Sequence, residues 1–321
     1  MKFPIYQKVK HFFVETAIVL RDTLRDWVAD NVPTYGAALA FYTIFSIAPL
    51  LLIMVAVAGF VFGESATTGQ LEEYMSQLMG ADLARTIQNF VLDAYQPRSG
   101  IIATLISLGI IIFMATTIIT QLKNALNNIW NVEVRQADSS IKRFLINRLI
   151  ALALILIFSS LFVLSMMMDV VLNTLESQID PVIPGGVQIW NKVNSIFSFL
   201  VLVILFAVIF KMLPDIRVRW SDVAVGAVVT ALLFVLGQYL IGVYMGMATT
   251  STYGAAGSFV VFLVWVYYNT MVFFLGAEFT YIYTMRHGAG VEAASHAKFT
   301  RMYTDEDYYK DISDDDEASE S

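Results

Sequence analysis

The chain has 321 residues, 57% of them hydrophobic and only 15% charged, too little charge to coat a soluble globule of that length, so a membrane-embedded protein is implied. The formal net charge of −7 sits at the C-terminal end, where residues 305–321 hold nine acids against Lys310, and the remainder offers no strongly basic surface for nucleic acid. With no Cys, disulfide and thiolate chemistry are excluded.

Residues 1–33 mix charge with apolar residues and lack the uninterrupted core of a cleavable signal peptide. Ile5, Val9, Phe12, Phe13, Thr16, Leu20, Leu24 and Trp27 recur at helical spacing among Lys8, Lys10, Arg21 and Arg25. This predicts an amphipathic helix that ends before Pro33 and either lies on the membrane surface or packs on the protein's own cytoplasmic loops.

Six apolar segments follow, each long enough for a hydrocarbon core that needs about 20 residues. They are Tyr35–Phe62, Ile101–Leu122, Phe144–Asp169, Ser195–Leu213, Val223–Met245 and Ser258–Met285, giving an all-α, polytopic fold with a six-helix transmembrane domain over 34–286. Of the 20 Lys and Arg residues, all but Arg85, Arg98 and Lys192 fall in segments on one side. The positive-inside rule therefore places both termini in the cytoplasm.

The first span carries Pro49, which predicts a kink, with Tyr35, Tyr42, Ser46 and Pro49 on one face and Gly36, Ala40 and Thr43 on an adjoining small-residue face. Residues 63–100 read as short extracytoplasmic helices. Span two ends in Thr117, Gln121, Asn124 and Asn128 on one face, suited to a wet vestibule or to interhelical hydrogen bonds. Asp169 at the outer end of span three reads as a solvated terminus, and Pro181 and Pro184 punctuate the loop beyond it. Span four leads to a tight cytoplasmic turn, Lys211-Met-Leu-Pro-Asp215, in which Pro214 stops the helix and Asp215 is placed for a local ion pair. Gly226, Thr230 and Gly237 give span five a close-packing face, and Gly254 and Gly257 lie in the loop before span six. Residues 287–321 read as an acidic, largely disordered cytoplasmic tail.

Span six holds the deepest carboxylate, Glu278, about 12 Å inside the cytoplasmic edge if the helix ends near Arg286. Tyr267, Met271, Phe274 and Glu278 share one face; Asn269, Gly276, Thr280 and Tyr283 share the other, as expected of a helix enclosed by protein. Lys211, or an arginine of the cytoplasmic loops, is a candidate partner for Glu278.

Gly36-Ala-Ala-Leu-Ala-Phe-Tyr42 with Ser46 and Pro49, Asn124-Ala-Leu-Asn-Asn-Ile-Trp130, Leu213-Pro-Asp215, Tyr253-Gly-Ala-Ala-Gly-Ser258 and Trp265-Val-Tyr-Tyr268 through Gly276-Ala-Glu278 together resemble the YihY/virulence factor BrkB family. The resemblance covers about residues 10–286. It implies a multi-pass protein of the bacterial inner membrane, from a family connected with serum resistance, lipid or solute export and, historically, a ribonuclease label. The residues speak against a nuclease: His11, His287 and His296 are scattered, and no metal-ligand cluster or phosphate-binding glycine loop is present. No enzymatic activity, cofactor or metal is expected.

Two functions fit. One is a transporter or exporter of a small solute or lipid-like amphiphile, coupled to protons through Glu278, with Tyr42, Ser46, Pro49, Tyr267, Asn269, Lys211 and Asp215 as further pathway candidates. The other is a non-transporting scaffold of the cell envelope, in which Glu278 is ion-paired and pins its helix. Membrane lipids are the expected partners. Gly36, Ala40, Gly226, Gly237, Gly254, Gly257 and Gly276 are close-packing sites serving either the bundle or a homo-oligomer.

Overall fold

The computed structural model describes residues 3–62, 101–134, 141–179, 186–248, 254–288 and 290–300. The expected helices of 63–100, the loop at Pro181 and Pro184 and most of the acidic tail lie outside these residues. Helices α1 (Phe3–Ala29), α2 (Val32–Phe62), α3 (Ile101–Ile129), α4 (Ile141–Ile179), α5 (Gly186–Met212), α6 (Trp220–Ala248) and α7 (Gly254–His287) carry nearly all the described chain. Short strands β1 (Val132–Val134), β2 (Ile216–Arg217), β3 (Glu292–Ala293) and β4 (Ala297–Phe299) complete it.

Among the described residues, five stretches have the length and composition to cross a membrane: Leu108–Ile129, Phe144–Leu164, Ser195–Met212, Trp220–Tyr239 and Phe262–His287. Large apolar side chains such as Phe113, Leu149, Leu200, Leu236 and Val264 point outward. Such a surface is tolerable only against hydrocarbon, so the chain is a membrane-embedded helical protein. Helix α2 is 31 residues long with Pro49 inside it, and Pro33 sits in its first turn, where a missing amide costs nothing.

The helices pack in a closed round. α2 lies against α3, α4 and α7; α3 meets α4, α4 meets α5, α5 meets α6, and α6 meets α7. Phe206 and Phe210 of α5, Phe234 of α6 and Phe273 and Phe274 of α7 form an aromatic core, with Phe210 and Phe273 centroids 5.2 Å apart. The α6–α7 seam follows from glycine placement. A Cβ on Gly226 would lie 2.6 Å from Thr280 Cβ, and one on Gly276 would lie 2.6 Å from Thr230 Cβ. Each helix thus offers a Gly and a Thr four residues apart, and the antiparallel pairing sets each Thr over the partner's Gly. Gly36 does the same for α2 against Met271 and Tyr267. Ala40 is buried, Gly237 receives the Tyr268 phenol, and the surroundings of Gly254 and Gly257 lie outside the described residues.

Helix α1 packs along α7, held by Arg286 on Asp22 and by His287 at 3.8 Å from Glu15. Val19 and Thr23 are buried, while Leu20, Leu24 and Val28 form an exposed apolar stripe. The helix therefore packs on the protein along one face and offers another to lipid.

The tail after residue 287, expected to be largely disordered, carries two short strands in its first part. β4 pairs antiparallel with β1 (Val132 opposite Phe299), and β3 with β2 (Ile216 opposite Ala293). Two- and three-residue strands leave no periodicity to read in sequence; their pairing depends on partners more than 70 residues away.

Candidate functional site

Glu278 is 0% exposed, and neither of its carboxylate oxygens has a hydrogen-bond partner. The charged groups facing it are Asp30, within side-chain contact from the turn after α1, and Asp26 of α1. The expected partner Lys211 is elsewhere: its ammonium donates to the Val218 carbonyl and lies 5.7 Å from the Trp220 ring centroid. Pro214 ends α5 and turns the chain at once, so Lys211 reaches across its own turn and not toward α7. Arg286 is engaged with Asp22. Glu278 thus meets acids where sequence reasoning expected a base.

Asp30 also lines a polar pocket of about 270 Å³ with Ala29, Asn31, Tyr35, Asn128, Asn131 and Thr300. Asn31 and Asn131 have φ of 53° and 51°, the left-handed region that Asn tolerates best after Gly. These turns end α1 and follow α3, and both belong to the pocket wall. Asn128 further donates to the Asp30 carbonyl at 3.5 Å. Of the two readings of span two's polar face, Asn128 lines the pocket and also bonds the Asp30 carbonyl, whereas Thr117 accepts from Arg148 at 3.2 Å and joins α3 to α4. Two indole nitrogens nearby in the chain, those of Trp27 and Trp130, are buried without partners; Trp130 packs edge-on to Tyr281, one turn from Glu278.

Asp215 shows the opposite arrangement. Its carboxylate accepts from Lys123 at 2.8 Å and Asn127 at 2.9 Å, and contacts His296 Nε2 at 2.9 Å. Its own amide donates to Asn127 Oδ1 at 2.8 Å, and its carbonyl accepts from the Ala294 amide at 3.0 Å. Lys123 also donates to Asn147 of α4 at 3.1 Å. Burial alone would push the Asp215 carboxyl up, but the hydrogen bond and charge of Lys123, with the His296 and Asn127 bonds, outweigh it and hold it below its ordinary value. This knot ties α3, α4, the turn after α5 and the β3–β4 segment together; it is a fully satisfied joint.

The remaining sequence candidates separate. Ser46 donates to the Met114 carbonyl at 2.8 Å, joining α2 to α3. Asn269 donates to the Trp265 carbonyl at 2.7 Å and accepts from Gln238 of α6 at 3.3 Å. Pro49 is buried, and Tyr42 stands edge-on to Phe41 at 5.9 Å. Tyr267 lines an apolar groove of about 300 Å³ between α2 and α7, with Ala37, Ala40, Phe41, Ile44, Leu263 and Val264. Neither this groove nor the polar pocket at Asp30 is lined by Glu278, Ser46, Asn269, Pro49 or Tyr42. Asp30 was missed although a signal existed: Asp22, Asp26 and Asp30 recur every four residues along α1 and into the turn that follows it.

Fold and site define a helical integral membrane protein with a carboxylate enclosed among its spans behind a polar pocket. Residues 23–301 match the family described as Virulence factor BrkB, and the chain belongs to that family. It is 28% identical over 264 residues to a UPF0761 membrane protein of Ralstonia nicotianae, covering 80% of this chain and 56% of that protein. It is 26% identical over 276 residues to one from Psychrobacter sp. (83% and 48%), and 25% identical over 256 residues to one from Psychromonas ingrahamii (78% and 82%). The chain spans about half the length of the first two of these relatives. No solved structure matches it.

Proposed function

We propose that the protein is a transporter or exporter of a small solute or a lipid-like amphiphile, coupled to protons through Glu278. The observation that carries this is a fully buried, unbonded carboxylate on a span, reached from a polar pocket through Asp30. An ionisable group kept at such cost within a membrane helix is by default functional. The lipid-facing groove beside Tyr267 suits an acyl chain. The proposal includes α2 as a sixth span, both termini in the cytoplasm, residence in the bacterial inner membrane, and no enzymatic step, cofactor or nucleic-acid ligand.

The second reading, a scaffold without flux, is favoured by the use of Ser46 and Asn269 as interhelical ties. Proteoliposomes holding the full chain separate the two. Translocation of a fluorescent phospholipid analogue or uptake of a small solute, accelerated by an imposed pH gradient, is the expected result. Folded protein that moves neither class of probe supports the scaffold.

A further inference from the structure

We propose that Glu278 and Asp30 form a carboxyl pair that holds one proton between them, loaded from the pocket bounded by Asn31, Asn128 and Asn131. The pair deepens the coupling role given to Glu278 and rests on that reading for its use, although proton binding is measurable without flux.

The assignment begins with the orphaned group. A carboxylate ion with no exposure and no hydrogen bond in the fold is too costly to persist, so something outside the fold must neutralise it. Among the described residues, four cations of the spans and their turns are engaged elsewhere. Arg286 is on Asp22, Lys211 on the Val218 carbonyl, Lys123 on Asp215, and Arg148 on Thr116 and Thr117. What does face Glu278 adds to the problem, because Asp30 and Asp26 are acids. Two carboxyl groups in contact, one of them fully buried, repel when both are charged, and one proton held between them removes the conflict while giving each an oxygen partner.

The surroundings leave few other titrating groups. Helix α1 and the turn after it contribute Asp26 and Asp30, with Asp22 taken by Arg286. Helix α2 contributes Tyr35 in the pocket wall, and α3 contributes Lys123, which is committed to Asp215. Helix α6 contributes Asp222, whose carboxylate lies beside Gly288 and accepts from Ser221. On α7 itself, Tyr281 packs on Trp130 and His287 faces Glu15. A metal ion fits poorly: among the described residues no group of three or more His, Cys, Asp or Glu converges to hold one.

Access is built in. Asp30 belongs both to the pair and to the pocket, whose named lining contains no Lys, Arg or His and presents Asn31, Asn128, Asn131, Thr300 and Tyr35. A proton arriving by water at Asp30 is therefore one side chain from Glu278, and the left-handed turns at Asn31 and Asn131 fix both sides of the entrance.

Infrared spectroscopy of the full chain in lipid nanodiscs tests this. At neutral pH the protein should show the carbonyl stretch of a protonated carboxylic acid, shifted in D2O, present in sodium-free buffer and unchanged by adding sodium. Glu278→Gln should abolish the band. Asp30→Asn, at the pocket wall, should preserve folding and move the band, because Glu278 then has an amide partner. Absence of the band in the wild type, its persistence in Glu278→Gln, its loss on adding sodium, or an unmoved band in Asp30→Asn each overturns the pair. A band that behaves as expected in protein that transports nothing leaves the pair standing and removes the transport reading.

Discussion

Asp215 and Glu278 are both buried acids in opposite surroundings: Asp215 meets Lys123, whereas Glu278 meets Asp30. Asp215 is held below its ordinary value by Lys123 and its hydrogen bonds, so its stabilising contribution is present above about pH 4, the unfolded value, and is lost as pH falls through the folded one. Thermal melts should therefore show an acid limb below about pH 4 that Asp215→Asn flattens. Asp215→Ala, which leaves Lys123 without its anionic partner, should cost about 2–4 kcal/mol of stability in denaturant titrations. The sequence placed both carboxylates correctly along the chain, yet named neither partner set. Lys123, Asn127 and His296 reach Asp215 from distant segments, and Asp30 reaches Glu278 across 248 positions. Residue type and local spacing carry no information about such meetings.

Helices were the most legible level, because about 20 apolar residues in a row leave few alternatives. The glycine faces were legible too, down to Gly226, Gly237 and Gly276 on the α6–α7 seam. Gly226→Ala and Gly276→Ala should each lower the melting temperature, at a cost of about 1–3 kcal/mol, since the added methyl meets a Thr Cβ that the opposing backbone holds in place. Gly109→Ala is the control: nothing lies within 4 Å of its Cβ position, and stability should not fall. Equal losses at all three positions would mean that the seam is not a close contact. The β elements were illegible for the reason already evident in their length: strands of two or three residues exist only where a partner edge is supplied.

At the scale of the molecule, the segment after α7 closes one end of the bundle by pairing with β1 and β2 and by placing His296 on Asp215. Ending the chain after His287 should therefore lower the melting temperature, whereas removing residues 302–321 should leave it unchanged. The absence of Cys makes sidedness directly measurable. A single cysteine at Lys298, which is exposed, should react with a membrane-impermeant maleimide only from the cytoplasmic side; labelling from outside would invert the topology. Coupling of proton movement to transport through Glu278 is read directly from internal pH, recorded with a trapped dye during flux in the same proteoliposomes. Wild-type protein should collapse an imposed pH gradient as substrate moves, and Glu278→Gln should lose both movements at an unchanged melting temperature. Flux and gradient collapse that survive in Glu278→Gln, or that disappear only because the variant unfolds, would contradict it.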